Sequence, residues 1–210
     1  MVDVAVVDYG MGNLRSVEQA LRKVAPAAEI LVTDDADVIA KAGRVVFPGQ
    51  GAMPDCMREL DARGLRDAIT AAARSKPFLG ICIGLQMLFE HSAEGDVAGL
   101  GILHGKVVRF ASNMRDAQGN KLKVPHMGWN QVHRGQHPLW EGIEQDARFY
   151  FVHSYYVQPQ DASLVQATSP YLQSFVCAVA KENLFGVQFH PEKSSTAGLR
   201  LLQNFMQWNP

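Results

Sequence analysis

No run of the sequence stays apolar for the ~18–20 residues that a membrane-spanning helix requires. No basic stretch followed by an apolar one opens it, so neither a bilayer span nor a secretory leader is expected. Cysteine is scarce. Cys56, Cys82 and Cys177 are odd in number, far apart and never arranged as CxxC, which argues against both a disulfide framework and a thiolate zinc site. HExxH is absent and no Cys or His pair has zinc-finger spacing, so neither a catalytic metal nor a cofactor is expected. Excess charge is lacking too: a formal balance of -1 gives no general reason to expect nucleic acid or an anionic membrane as partner. Repeats, low-complexity tracts and Gly/Ser/Pro-rich linkers are missing. What remains is 47% apolar and 20% charged residues, the mix of an ordinary globular protein, expected in the cytoplasm as one domain over residues 1–210.

The first half alternates strand and helix signals. Val2 to Val7 is an apolar run ended by Asp8-Tyr9-Gly10. Leu14, Val17, Leu21 and Val24 then recur at helical spacing up to Pro26. Val45-Val46-Phe47 is a second buried strand, followed by a helix with Leu65, Ala68, Ile69 and Ala72 on one face. Phe78 to Ile81 is a third strand, after which Leu85, Leu88 and Phe89 repeat on one side of a helix. Such alternation predicts an α/β fold, an open and mostly parallel sheet covered by helices on both faces. In the second half, strands are expected over 102–110, 149–153, 164–168, 175–180 and 184–189, as an antiparallel or mixed extension of the same sheet. Leu199, Leu202 and Phe205 form a closing helix, and the region from Ala111 to Val124 reads as an exposed loop.

Cys82 lies in Gly80-Ile81-Cys82-Ile83-Gly84, directly after a strand and before a helix. Glycines on both sides permit a sharp turn that lifts the side chain to the carboxyl edge of the sheet, where open α/β sheets bind ligands. The commoner fate of a lone cysteine is burial in the core, and that is the expectation for Cys56 and Cys177. A thiol of pKa about 8.5 is only a few per cent thiolate at pH 7. A helix N-terminus contributes ~0.3–1 kcal/mol, too little to ionise it. A nucleophilic Cys82 therefore needs an imidazole close by.

Of seven histidines, His190 has the most telling context, Gly186-Val187-Gln188-Phe189-His190-Pro191-Glu192-Lys193. Pro191 biases His190 toward extended backbone, where residues two apart project to the same side. Glu192 can then hold one ring nitrogen while the other faces Cys82. Pro48-Gly49-Gln50-Gly51 ends the second strand, which should neighbour the elbow. The backbone N–H groups of Gln50, Gly51 and Ile83 are candidates for an oxyanion site. Gly10-Met11-Gly12 lacks the rest of a dinucleotide fingerprint and reads as a tight turn. Asp34-Asp35 reads as a solvated one.

These motifs, in this order, resemble the class I (triad-type) glutamine amidotransferases. Asp8-Tyr9-Gly10-Met11-Gly12-Asn13-Leu14, Pro125-His126-Met127-Gly128-Trp129-Asn130, Phe151-Val152-His153-Ser154-Tyr155-Tyr156 and Lys193-Ser194 are similar, within that class, to the glutaminase subunits of imidazole glycerol phosphate synthase. The resemblance runs from the first strand to the last helix. It implies a flavodoxin-like sheet with an antiparallel extension and a Cys82–His190–Glu192 triad working through a γ-glutamyl thioester. Gly51, Gln86, Ser154 and Tyr155 would surround the glutamine. Asn13, Met127, Trp129 and Lys193 would face a (β/α)8-barrel cyclase in a heterodimer. Gln50 departs from the small apolar residue common in that family. Read without the resemblance, Met127 and Trp129 would be core residues. The residues also leave open a class I amidotransferase serving another acceptor, a cysteine hydrolase on the same scaffold, or a binding module with a relic triad.

Overall fold

The computed structural model describes residues 2–111, 123–171 and 173–210. The first half builds β1 (Val4–Val7), α1 (Leu14–Val24), β2 (Ile30–Thr33), α2 (Ala36–Lys41), β3 (Arg44–Gly49), α3 (Met53–Ala62), α4 (Arg66–Ser75) and β4 (Phe78–Cys82). There follow the short α5 (Ile83–Gln86), β5 (Phe89–Ser92), β6 (Val97–Ala98), β7 (Leu103–Arg109), β8 (His126–Gln131), β9 (His133–Arg134), β10 (Arg148–His153) and β11 (Tyr155–Pro159). β12 (Val165–Tyr171), β13 (Gln173–Lys181), β14 (Leu184–Val187) and α6 (Ser195–Gln207) complete it.

Among the described residues twelve strands form one sheet in the order β2-β1-β3-β4-β14-β13-β11-β7-β5-β6, with β12 paired on β13 and β9 on β12. The five strands from β2 to β14 are parallel. From β13 through β11 to β7 the pairing is antiparallel. Every residue of β1, β4 and β14 is buried. Since alternate side chains point to opposite faces, both faces of this central sheet are covered, as continuous apolar runs predict. α1 packs on α6 and α2 on α4.

The expected α/β sheet with its mixed extension is present, and four details differ. β2, an edge strand with only Ile30 buried, carries too little apolar pattern to be read. The helix after Cys82 stops at Gln86 because the carbonyls of Met87 and Leu88 accept from Leu100 and Ile102 N–H groups, and Phe89 begins a strand. β10 does not extend the large sheet but pairs with β8 in a separate two-stranded sheet. Asp35 caps α2, its carboxylate accepting from the N–H groups of Asp37 (2.8 Å) and Val38 (3.3 Å), so it is more than a solvated turn. The loop expected over 111–124 lies largely outside the described residues.

Register places the site. Gly49 is opposite Cys82 across β3 and β4, and Val187 opposite Ile81 across β14 and β4. The carboxyl ends of three adjacent parallel strands therefore present Gln50-Gly51, Cys82 and Gln188 to His190 side by side, at the edge where open α/β sheets hold ligands.

Candidate active site

Cys82 is the residue between β4 and α5, with φ 57° and ψ -112°. A non-glycine residue rarely adopts such a conformation, which costs ~1–3 kcal/mol and persists only where its surroundings impose it. The expectation that glycines supply the turn's freedom is corrected here. Neither Gly80 nor Gly84 has a positive φ. Their role is close approach: a Cβ on Gly84 would lie 1.8 Å from the Phe47 carbonyl oxygen, and one on Gly80 3.2 Å from the Leu85 backbone. The strain falls on the cysteine itself, and the glycines let α5 sit directly on β3.

His190 has extended backbone (φ -101°, ψ 96°), as its proline neighbour predicts. Its Nδ1 donates to Glu192 Oε1 at 2.9 Å, both side chains being almost completely buried. Because Nδ1 donates to Glu192, Nε2 is the nitrogen left for chemistry, and the Cys82 sulfur is the group it interacts with. Burial works against the charged imidazolium, yet the Cys82 sulfur and the Glu192 carboxylate outweigh it and raise the His190 pKa well above its ordinary value. That favours a sulfur–imidazolium pair.

Cys82 and His190 line one cavity of about 400 Å³, at the small end of ligand pockets. Gln50, Gly51, Ile83, Gln86, Ser154, Tyr155 and Lys193 line it too. The predicted triad, oxyanion and substrate residues are thus brought together, apart from Glu192, which stands behind His190. The Ile83 N–H, in the first turn of α5, has no intrahelical acceptor by position. Gly51 (φ 111°) sits beneath Met11, so the Gly10–Gly12 turn backs the oxyanion turn and brings Asn13 to the same edge. Met127 and Trp129 are 62% and 50% exposed on β8, against the core reading and in line with the interface reading. Cys56 and Cys177 are fully buried, and burial raises both thiols, Cys56 to about 11.

Four further residues were not read from the sequence. Glu94 lines the cavity while its carboxylate accepts from the Met53 N–H (2.9 Å), and nothing in its sequence context marked it. Gln188 could have been found, since it lies two residues before His190 in the strand expected over 184–189, and so on the same side. His153 and His126 form a buried pair. His153 Nδ1 donates to the Tyr155 carbonyl (2.7 Å), so its Nε2 must accept from His126 Nδ1 (2.9 Å), whose Nε2 accepts from the Asn130 amide (3.2 Å). Burial drives both toward the neutral form, His126 down to about 4 and His153 to about 3.

The model of the family described as glutamine amidotransferase class I matches residues 5–208. The chain belongs to the class I glutamine amidotransferases. It is 68% identical to imidazole glycerol phosphate synthase subunit HisH of Thiobacillus denitrificans, covering all of this chain and 92% of that one. Identity to the subunit HisH of Aromatoleum aromaticum is 65% over the full length of both, and to that of Neisseria meningitidis 51% over 99% of this chain and all of that one. The resemblance stated from the sequence is borne out at the level of the HisH subunits. Among solved structures, one of a glutamine amidotransferase superposes with TM-score 0.72 at 19% identity, covering 98% of this chain and 97% of that one. Another, from Thermotoga maritima, gives TM-score 0.61 at 16% identity over 90% and 75%. At those identities the likeness is one of fold, and it is the fold expected of this class I amidotransferase.

Proposed function

We propose that this chain is the glutaminase subunit of imidazole glycerol phosphate synthase, one amidotransferase domain over residues 1–210. Its partner is a (β/α)8-barrel cyclase, which uses the ammonia to form imidazole glycerol phosphate and an aminoimidazole carboxamide ribotide in histidine biosynthesis. The observation that carries the reading is the convergence of Cys82 and the Glu192-held His190 on one small cavity beside the Gln50-Gly51 turn.

The Cys82 thiolate adds to the side-chain amide carbon of glutamine, and the carbonyl electron pair moves onto oxygen. The N–H groups of Gln50, Gly51 and Ile83 are the candidate donors to that oxyanion; loss of one donor in such a site costs about 10²–10³ in rate. As the tetrahedral species collapses, the C–N bond breaks, nitrogen keeps the pair and takes the proton of His190 Nε2, and ammonia leaves. Neutral His190 then takes a proton from water, which adds to the thioester carbon. The C–S bond breaks to give glutamate and restore the sulfur–imidazolium pair. Gly51, Gln86, Ser154 and Tyr155 hold the substrate, and Glu94 offers a carboxylate to its α-ammonium. Met127, Trp129, Asn13 and Lys193 face the cyclase, and an exposed Met–Trp pair is the kind of patch that marks such an interface.

The test mixes the chain with the cyclase and measures glutamate formation with and without the nucleotide substrate. Cys82→Ala should abolish glutamate release and leave the fold intact. Undiminished release from that variant would overturn the assignment, and cleavage of peptides in place of free glutamine would favour a cysteine hydrolase.

A further inference from the structure

Gln188 is completely buried, yet its side chain is polar at both ends. Its Nε2 points at Cys82 Sγ, 3.6 Å away, and its Oε1 accepts from Gln86 Nε2 at 3.0 Å. The direction of this short chain is not arbitrary. Gln86 Nε2 is also directed at the Tyr155 carbonyl (3.2 Å), which can only accept, and that carbonyl is held in turn by His153 Nδ1. Gln86 must therefore present its NH2 group to both acceptors, which obliges Gln188 to receive through oxygen and to turn its own NH2 group to the sulfur. Among the described residues Gln86 Oε1 has no hydrogen-bond partner, in a residue that lines the cavity.

We infer that Gln188 is a further catalytic residue, donating the hydrogen bond that steadies the Cys82 thiolate and fixes the direction of its attack, while its other end anchors the substrate-holding amide of Gln86. The inference rests on the reading of Cys82 as nucleophile. A thiolate carries no proton and can only accept, so an amide N–H facing it stabilises the ionised form more than the thiol. Gln188 and Cys82 are both buried, which strengthens such a bond. His190 supplies the positive partner, and Gln188 supplies a donor that carries no titrating proton and so holds through every step in which His190 changes charge. A purely structural Gln188, present only to satisfy Gln86, would have no effect on the ionisation of the sulfur.

Alkylation of Cys82 by iodoacetamide, followed against pH in the full chain and located by peptide mapping, separates the two. The buried Cys56 and Cys177 are poor competitors. Gln188→Met and Gln188→Leu both remove the donor to sulfur and add no charge beside it. The expected result is an upward move of the half-maximal pH of alkylation by about one unit in both variants. In complex with the cyclase, kcat/KM for glutamine should fall about tenfold or more, with KM rising as well because Gln86 is released. Should the Met variant fail to fold, Gln188→Leu decides alone. Folded variants that alkylate at the wild-type pH would overturn the role of Gln188 while leaving the nucleophile in place. Retention of glutaminase activity by Cys82→Ala would overturn both.

Discussion

At the scale of the residue, the site depends on one side chain whose charge is set by its neighbours. The imidazolium of His190 is opposed by burial and sustained by Cys82 and Glu192. A raised pKa stabilises the folded protein at pH below the ordinary histidine value, and that contribution is lost as pH rises through the elevated one. Glu192→Gln removes a charge but keeps an acceptor, so the imidazolium should give up its proton at lower pH. The expected outcome is an alkaline limb of kcat/KM displaced to lower pH and a fall of about 10²-fold at the optimum. A pH–rate profile measured with the cyclase present checks it; an unmoved alkaline limb would show that Glu192 does not govern His190. Cys82, His190 and Glu192 were legible because each stands in a short motif whose local geometry implies its chemistry. Glu94 was not, because its place at the cavity comes from the β5–β6 turn and not from its neighbours in sequence.

At the scale of the element, the elbow works because α5 touches β3 without a side chain between them. Gly84→Ala would drive a Cβ into the Phe47 carbonyl, a backbone group at the centre of a parallel sheet that cannot step aside. Overpacking of this kind costs ~1–3 kcal/mol or more, and it moves the Ile83 N–H away from the reacting carbonyl. The variant should lose stability in chemical denaturation and lose glutaminase activity beyond what its unfolded fraction accounts for. Gly101→Ala, where an added Cβ meets nothing but the φ of +64° is unfavourable to alanine, measures backbone strain without a clash and should cost about 1 kcal/mol with activity retained. Strong apolar runs made β1, β3, β4 and β14 readable. The strand β2, the shortened α5 and the β8–β10 pair were not, since each is decided by which carbonyls and edges lie nearby after folding.

At the scale of the whole molecule, stability toward acid follows from histidines held neutral. His126, His137 and His153 have pKa values lowered by burial, to about 4, about 4 and about 3. Between these values and the ordinary one near 6.5, the unfolded chain binds protons that the folded one refuses. Stability is therefore present above about pH 6.5 and falls as pH drops toward 4, by up to roughly 1.4 kcal/mol per pH unit for the buried His126 and His153 and by less for the more accessible His137. Urea denaturation at stepped pH should show this loss, shallower in a variant with His126→Phe, which keeps the ring packing. A midpoint constant from pH 7 to pH 4.5 would contradict it. The same pair joins the exposed β8 face to the cavity, since His126 lies next to Met127 and His153 holds the Tyr155 carbonyl.

The sequence by itself determined the class of fold, the cysteine at a strand-to-helix turn, the His-Pro-Glu pair and their membership of one family, because hydrophobic period, glycine placement and proline act over a few residues. Tertiary structure alone decided that Gln188 meets the sulfur, that Glu94 reaches the cavity and that His126 and His153 share a proton-locked bond. Those contacts join residues 27 to 106 positions apart in the chain, and only the register of the sheet and the burial that excludes water bring them within hydrogen-bonding distance.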